Sequence, residues 1–150
     1  MTTIAYRDGV LAADTQLTLG DNVRSFCHKI YHLDEGRVLA AAGDADIIEQ
    51  WKLFLLGKNK RPPKTMKGME GIFIDKEDAY FFQDSPILMP IEKKFHAEGS
   101  GWQLAFAAMH MGLSAIKAVE LAGEIDVNTN TLVDYYDVKT QELKEVSFET

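Results

Sequence analysis

The chain has 150 residues, of which 46% are hydrophobic and 26% charged, and it carries a formal net charge of −7. That length suits one domain over 1–150 with a core that needs no disulfide, and the acidic balance argues against nucleic-acid and anionic-membrane partners. Cys27 is the single cysteine, which excludes an internal disulfide and a thiolate zinc site. No apolar stretch approaches the ~20 residues of a membrane span, and no signal-peptide pattern opens the chain, so a cytoplasmic protein is expected.

In chain order, "TTIAY" and "VLAADTQLT" flank the turn "RDG" and predict a β-hairpin over 2–18. "SFCHKIYHL" and "RVLAAAG" flank "DEG" and predict a second hairpin. From Ala45 the period changes: Ile47, Ile48, Trp51, Phe54 and Leu55 recur at helical spacing, with Gly57 as the stop. The basic, Pro- and Gly-containing "GKNKRPPKTMKG" at 57–68 reads as a solvated loop. "GIFID" and "AYFFQ" predict a third hairpin over 71–83, and "KKFHAEGSG" a further strand. "WQLAFAAMHMG" predicts a short helix, and Ser114 caps another that buries Ile116, Val119 and Leu121. A last hairpin turns at "VKTQ". Runs of strands separated from runs of helices predict an α+β fold, two antiparallel sheets with helices packed outside them.

Several residues could carry chemistry. Thr2 follows the initiator methionine, and its small side chain permits Met1 removal. The exposed α-amine, with a reference pKa of about 7.7–8.0, could then take the proton of its own hydroxyl. The competing reading is that Met-Thr-Thr is an ordinary start. Residues 2 and 14 are symmetric about position 8, so a regular hairpin would set Thr2 opposite Asp14. Lys29 lies within the apolar alternation of "FCHKIYHL", either as a solvated edge residue or as a buried cation paired with a carboxylate. Facing Asp14, it would favour a neutral amine at Thr2 and stabilise developing negative charge. Cys27 shares its strand face and reads as packing. Gly43 in "AAAGDAD" and Ser100 in "EGSGW" sit at junctions that are either plain turns or places where backbone approaches a ligand. His28, His32, His96 and His110 are scattered, without the spacing of a metal face.

Together these stretches resemble the proteasome β-subunit family, most closely its bacterial HslV-type peptidase branch. The resemblance runs from "MTTIAYRDGVLAADTQLTLGDN" through "HKIYHL", "AGDAD" and "GSG" to "ELAGEIDVNTN", and so covers nearly the whole chain. It implies a four-layer αββα sandwich of the N-terminal-nucleophile hydrolase type. It also implies a threonine-type endopeptidase that forms a homo-oligomeric ring, takes polypeptide substrates and has an AAA+ unfoldase as partner. By the same resemblance Thr2 is the nucleophile, Asp14 and Lys29 the supporting charge pair, and Gly43 the oxyanion donor. Ser100 would help beside the amine, and Glu124 would stand where the family keeps an organising aspartate. No cofactor is required. Gly123, Asp126 and Thr129 fall on positions that hold a monovalent cation such as Na+, with Asp126 in place of a cysteine. The departures are a shortened first hairpin, shortened last helices and no long second helix. Two rival expectations stand beside this one: a non-catalytic ring protein that retains Met1, and a small-molecule amidase on the same fold.

Overall fold

The computed structural model describes residues 2–19 and 23–148; Met1 and the 20–22 end of the opening motif lie outside them. The elements are β1 (Thr3–Arg7), β2 (Val10–Asp14), β3 (Gln16–Leu19), β4 (Val23–Phe26), β5 (Ile30–Asp34), β6 (Arg37–Ala42) and α1 (Ala45–Leu55). They continue with β7 (Glu70–Asp75), β8 (Asp78–Gln83), β9 (Met89–Pro90), β10 (Phe95–Gly99), α2 (Trp102–His110), α3 (Ala115–Ile125), β11 (Val133–Asp137) and β12 (Glu142–Lys144). All strand pairs are antiparallel. One five-stranded sheet runs β10-β1-β2-β11-β12, a second β5-β6-β7-β8-β9, and β3 and β4 pair separately.

The layering follows from the two-residue period of the strands. Ile4, Leu11, Ala13 and Tyr136 point from the first sheet toward Ile30, Val38, Ala40, Ile72 and Ile74 of the second, forming the inter-sheet core. One residue along, Ala5, Ala12 and Ala97 face α2 and α3, meeting Ala105, Ala108, Met109, Ala115, Ala118 and Val119. Alanines on both sides of that contact let the helices lie close to the sheet. On the other outer face Leu39, Ala41, Phe73 and Phe82 pack against Ile48 and Trp51 of α1. Trp51 meets the Phe82 ring edge-on at 5.4 Å. The result is the helix–sheet–sheet–helix sandwich expected from the sequence.

Three local features differ from the sequence reading. The first hairpin closes with Asp8 and Gly9 alone, and its register pairs Ile4 with Ala13, so Thr3 rather than Thr2 stands opposite Asp14. The strand expected through residue 18 breaks at Thr15 and its second half pairs with β4. Lys29 therefore lies between β4 and β5, outside any strand. In α3 the deeply buried positions are Ala115, Ala118, Val119 and Ala122, whereas Ile116 and Leu121 are only partly buried. After α1 the chain crosses to β7 without a helix, anchored by the buried Met66 and Met69. Asp44 caps α1, and Ser114 caps α3 by accepting from the Lys117 N–H at 3.2 Å.

Candidate active site

The site gathers at one end of the sandwich. The start of β1, the end of β2, the β4–β5 connection, the β6–α1 turn, the end of β10 and the C-terminal end of α3 converge there. Thr2 is 4% exposed and lines two cavities that share Ala42 and Gly43. One, of about 320 Å³, is bounded by Cys27, Lys29, Tyr31, Ala45 and Ile48. The other, of about 210 Å³, is bounded by Gly68, Glu70, Gly99 and Ser100. Burial raises the Cys27 thiol's pKa, which keeps it a packing residue as the sequence suggested.

Asp14 is fully buried and saturated with donors. Its Oδ1 accepts from the Thr3 N–H at 2.9 Å and from Lys29 Nζ at 2.9 Å. Its Oδ2 accepts from the Gln16 N–H at 3.1 Å and the Asn130 N–H at 3.3 Å. Lys29 is 5% exposed, so the pair is a buried ion pair and not a solvated edge contact. The charge pair named from the sequence is thus assembled, but through Thr3 and a loop lysine. It places a fixed ammonium on the cavity that Thr2 lines.

Two glycines are imposed by close packing. Gly43 has φ +136°, and a Cβ there would meet the Met69 sulfur at 2.3 Å. Gly99 has φ +98°, and a Cβ would lie 1.8 Å from the Thr2 carbonyl oxygen. Both glycines line the smaller cavity beside Thr2, so backbone without side chains borders it there.

Ser100 Oγ donates to Asp126 Oδ2 at 2.7 Å and lies 3.4 Å from the Thr2 carbonyl oxygen. Thr129 Oγ1 donates to the same Asp126 oxygen at 2.6 Å, which leaves Thr3 Oγ1 to donate to Thr129 over 2.7 Å. Partial burial works against ionisation of Asp126, but the hydrogen bonds from Thr129, Ser100 and the Asn128 N–H outweigh it and hold the carboxyl below its ordinary pKa. Glu124, expected as the organising carboxylate, is instead exposed on α3, and the carboxylate that reaches Ser100 is Asp126. Of the three residues expected at a cation, Asp126 and Thr129 meet through their hydrogen bond, and Gly123 is packed against the Asn130 carbonyl.

Sequence reasoning passed over Glu70. It opens β7, lines the smaller Thr2 cavity, and accepts a hydrogen bond from the Gly99 N–H. Burial, with the neighbouring Glu98 and Asp84, raises its pKa despite that hydrogen bond. Glu98 is 5% exposed on β10 and joins His96 Nε2 at 2.8 Å. The available signal was a glutamate in each of two strands, at positions where alternation points inward. The histidines are also less scattered than their spacing suggested. His28 Nδ1 lies 2.6 Å from the buried Asp134 and 3.3 Å from Glu145, and its ring stacks on Phe148 at 4.5 Å. That cluster fastens the C-terminal segment to the loop that carries Lys29.

The sandwich, with a threonine at the head of a central strand and a buried lysine beside it, has the fold of the proteasome-type threonine peptidases. Among solved structures it is similar to the eukaryotic HslV of Trypanosoma brucei, with a TM-score of 0.66 at 20% identity over 89% of this chain and 96% of that one. It is also similar to Thiobacillus denitrificans BPH, with a TM-score of 0.66 at 18% identity over 99% of each chain. The same BPH in complex with epoxomicin matches with a TM-score of 0.67 at 18% identity, over 90% of this chain and 96% of that one. No family model matches the sequence. No helix among the described residues is long and apolar enough to cross a membrane.

Proposed function

We propose that this protein is a threonine-type peptidase in which Thr2, once Met1 is removed, is the nucleophile. The observation that carries the reading is that Thr2 lines two cavities, with Lys29, paired to the buried Asp14, on the wall of one and Gly43 common to both. The Thr2 hydroxyl gives its proton to its own α-amine, and Oγ attacks the substrate carbonyl. The Lys29 charge favours the neutral amine before the step and offsets the negative charge that develops in it. The Gly43 N–H is the oxyanion donor. The C–N bond then breaks, the amine returns the proton to the leaving nitrogen, and water releases the acyl group from Oγ. Asp126 and Ser100 position the Thr2 main chain.

The HslV likeness supports peptide substrates and ring assembly; a homo-oligomeric ring fed by an unfoldase is the finer form of the same proposal. A monovalent cation such as Na+ at Gly123, Asp126 and Thr129 would brace the same end of α3. Epoxomicin, bound in the BPH structure, is the probe of choice. Protein whose intact mass lacks Met1 is expected to gain one epoxomicin mass, and the Thr2→Ala variant none. Quantitative retention of Met1, or labelling that survives Thr2→Ala, would overturn the reading and favour a non-catalytic ring protein.

A further inference from the structure

The two cavities at Thr2 differ in chemistry. The larger is walled by side chains, among them Leu17, Tyr31, Ala45 and Ile48, and suits a substrate side chain. The smaller is walled largely by backbone at Gly43, Gly68 and Gly99, and suits a chain running past the nucleophile. Acyl transfer at Thr2 needs room on both sides of the scissile bond, so the second cavity falls to the leaving segment. Among the described residues one ionisable side chain lines it: Glu70.

The surroundings of Glu70 are negative. Across the junction of the sheets stands Glu98 of β10, with His96 behind it at 2.8 Å, and Asp84 follows β8. The register partners of Glu70 are Ala42 on β6 and Gln83 on β8, neither of which ionises. Among the described residues the charged groups acting on Glu70 are Glu98, which is also within side-chain hydrogen-bond reach of it, and Asp84, both anionic, and its Oε1 is engaged by the Gly99 N–H. Among the described residues no side-chain cation pairs with this carboxyl, the amine nearest it on the cavity is the Thr2 α-amine that the mechanism keeps neutral, and the open side of the site is where substrate enters.

We propose that the Glu70 cavity binds the leaving segment of the substrate and selects a cationic side chain, lysine or arginine, just after the scissile bond. This rests on the peptidase reading of Thr2. A guanidinium there meets one carboxylate directly and the field of a second, and a neutral isostere meets a desolvated charge without a partner. Burial and Glu98 raise the proton affinity of Glu70, so its charge is complete only above its raised pKa. The selection therefore strengthens as pH rises through that range.

Two internally quenched peptides that differ only in arginine or citrulline after the scissile bond provide the test. A second pair carries the same exchange before the bond. Wild-type protein with Thr2 exposed is expected to prefer arginine roughly tenfold in kcat/KM in the first pair, more at pH 8 than at pH 5. In Glu70→Gln the ratio falls to about one and no longer depends on pH. A preference confined to the second pair, or a ratio unaltered in Glu70→Gln, overturns the proposal. If neither peptide is cleaved, the peptidase reading fails by itself and Glu70 is judged by binding. N-acetyl-argininamide must then shift the Gly99 amide resonance saturably in the wild type but not in Glu70→Gln, and a missing shift overturns the proposal as well.

Discussion

Replacing Lys29 with methionine keeps an unbranched chain of similar length and removes the ammonium. Asp14, fully buried, then keeps a charge whose remaining partners among the described residues are three backbone N–H groups, those of Thr3, Gln16 and Asn130. Breaking a buried pair from one side costs about 3–5 kcal/mol, and the surviving N–H donors put this case near 3 kcal/mol. For a chain of this size each 1 kcal/mol moves the melting midpoint by about 2–4 °C, so a fall of roughly 6–12 °C is expected. The second arm of the cycle sharpens the claim. Both Asp14 oxygens accept from N–H groups, so an asparagine must turn its NH2 toward a donor whichever way it is flipped. Asp14→Asn/Lys29→Met therefore stays well below wild type, although the charge has gone. Urea unfolding of all four proteins at one fixed concentration, with m-values compared, measures this without interference from assembly. Lys29→Met within 1 kcal/mol of wild type, or a double variant as stable as wild type, would refute a buried and fully engaged Asp14.

Gly43→Ala places a Cβ at φ +136° against the Met69 sulfur, so a loss of about 1–3 kcal/mol is expected together with loss of epoxomicin labelling; normal labelling would show that the turn is not at the reacting centre. Glu70 has a raised pKa in the fold, so the native state binds its proton more tightly than the unfolded chain. Its stabilising share is complete below the ordinary glutamate range and is lost as pH rises through the raised value. Glu70→Gln should then be more stable than wild type at neutral pH, with the difference closing on acidification; a destabilised variant at pH 7 would contradict it. Asp126 has the opposite sign: its lowered pKa contributes stability above the ordinary aspartate range, lost as pH falls through the depressed value. Asp126→Asn is expected to be less stable at neutral pH and to converge on wild type in acid, as followed by thermal melts from pH 7 to 3.

The layers of the fold are legible in the sequence because strand alternation is local. In "TIAYR" and "VLAAD" Ile4 and Leu11 mark the inter-sheet face and Ala5 and Ala12 the helix face, and in "RVLAAA" Val38 faces the other sheet and Leu39 faces α1. The site is legible only in part, because its members meet through tertiary contacts that local periods do not encode. A symmetric hairpin about residue 8 would pair Thr2 with Asp14; a loop of just Asp8 and Gly9 moves the register by one and gives that place to Thr3. The shift has a chemical consequence. With Thr3 N–H fastened to Asp14, Thr2 stands one residue beyond the paired strand, where it lines both cavities. Asp126 was assigned to a cation and Glu124 to the nucleophile's surroundings. Helix α3 ends at Ile125, so a carboxylate just past its end can fold back on Ser100, while one on its last turn stays in solvent. Glu70 and Glu98 were invisible for a different reason. Each looks like a polar outlier in an apolar strand, and only the closure of the two sheets against one another turns two outliers into one acidic wall, of which Glu70 borders a cavity at Thr2. A domain gains nothing in stability from such a wall, so the expectation that Glu70→Gln stabilises the fold while it removes the preference for arginine follows from a single cause.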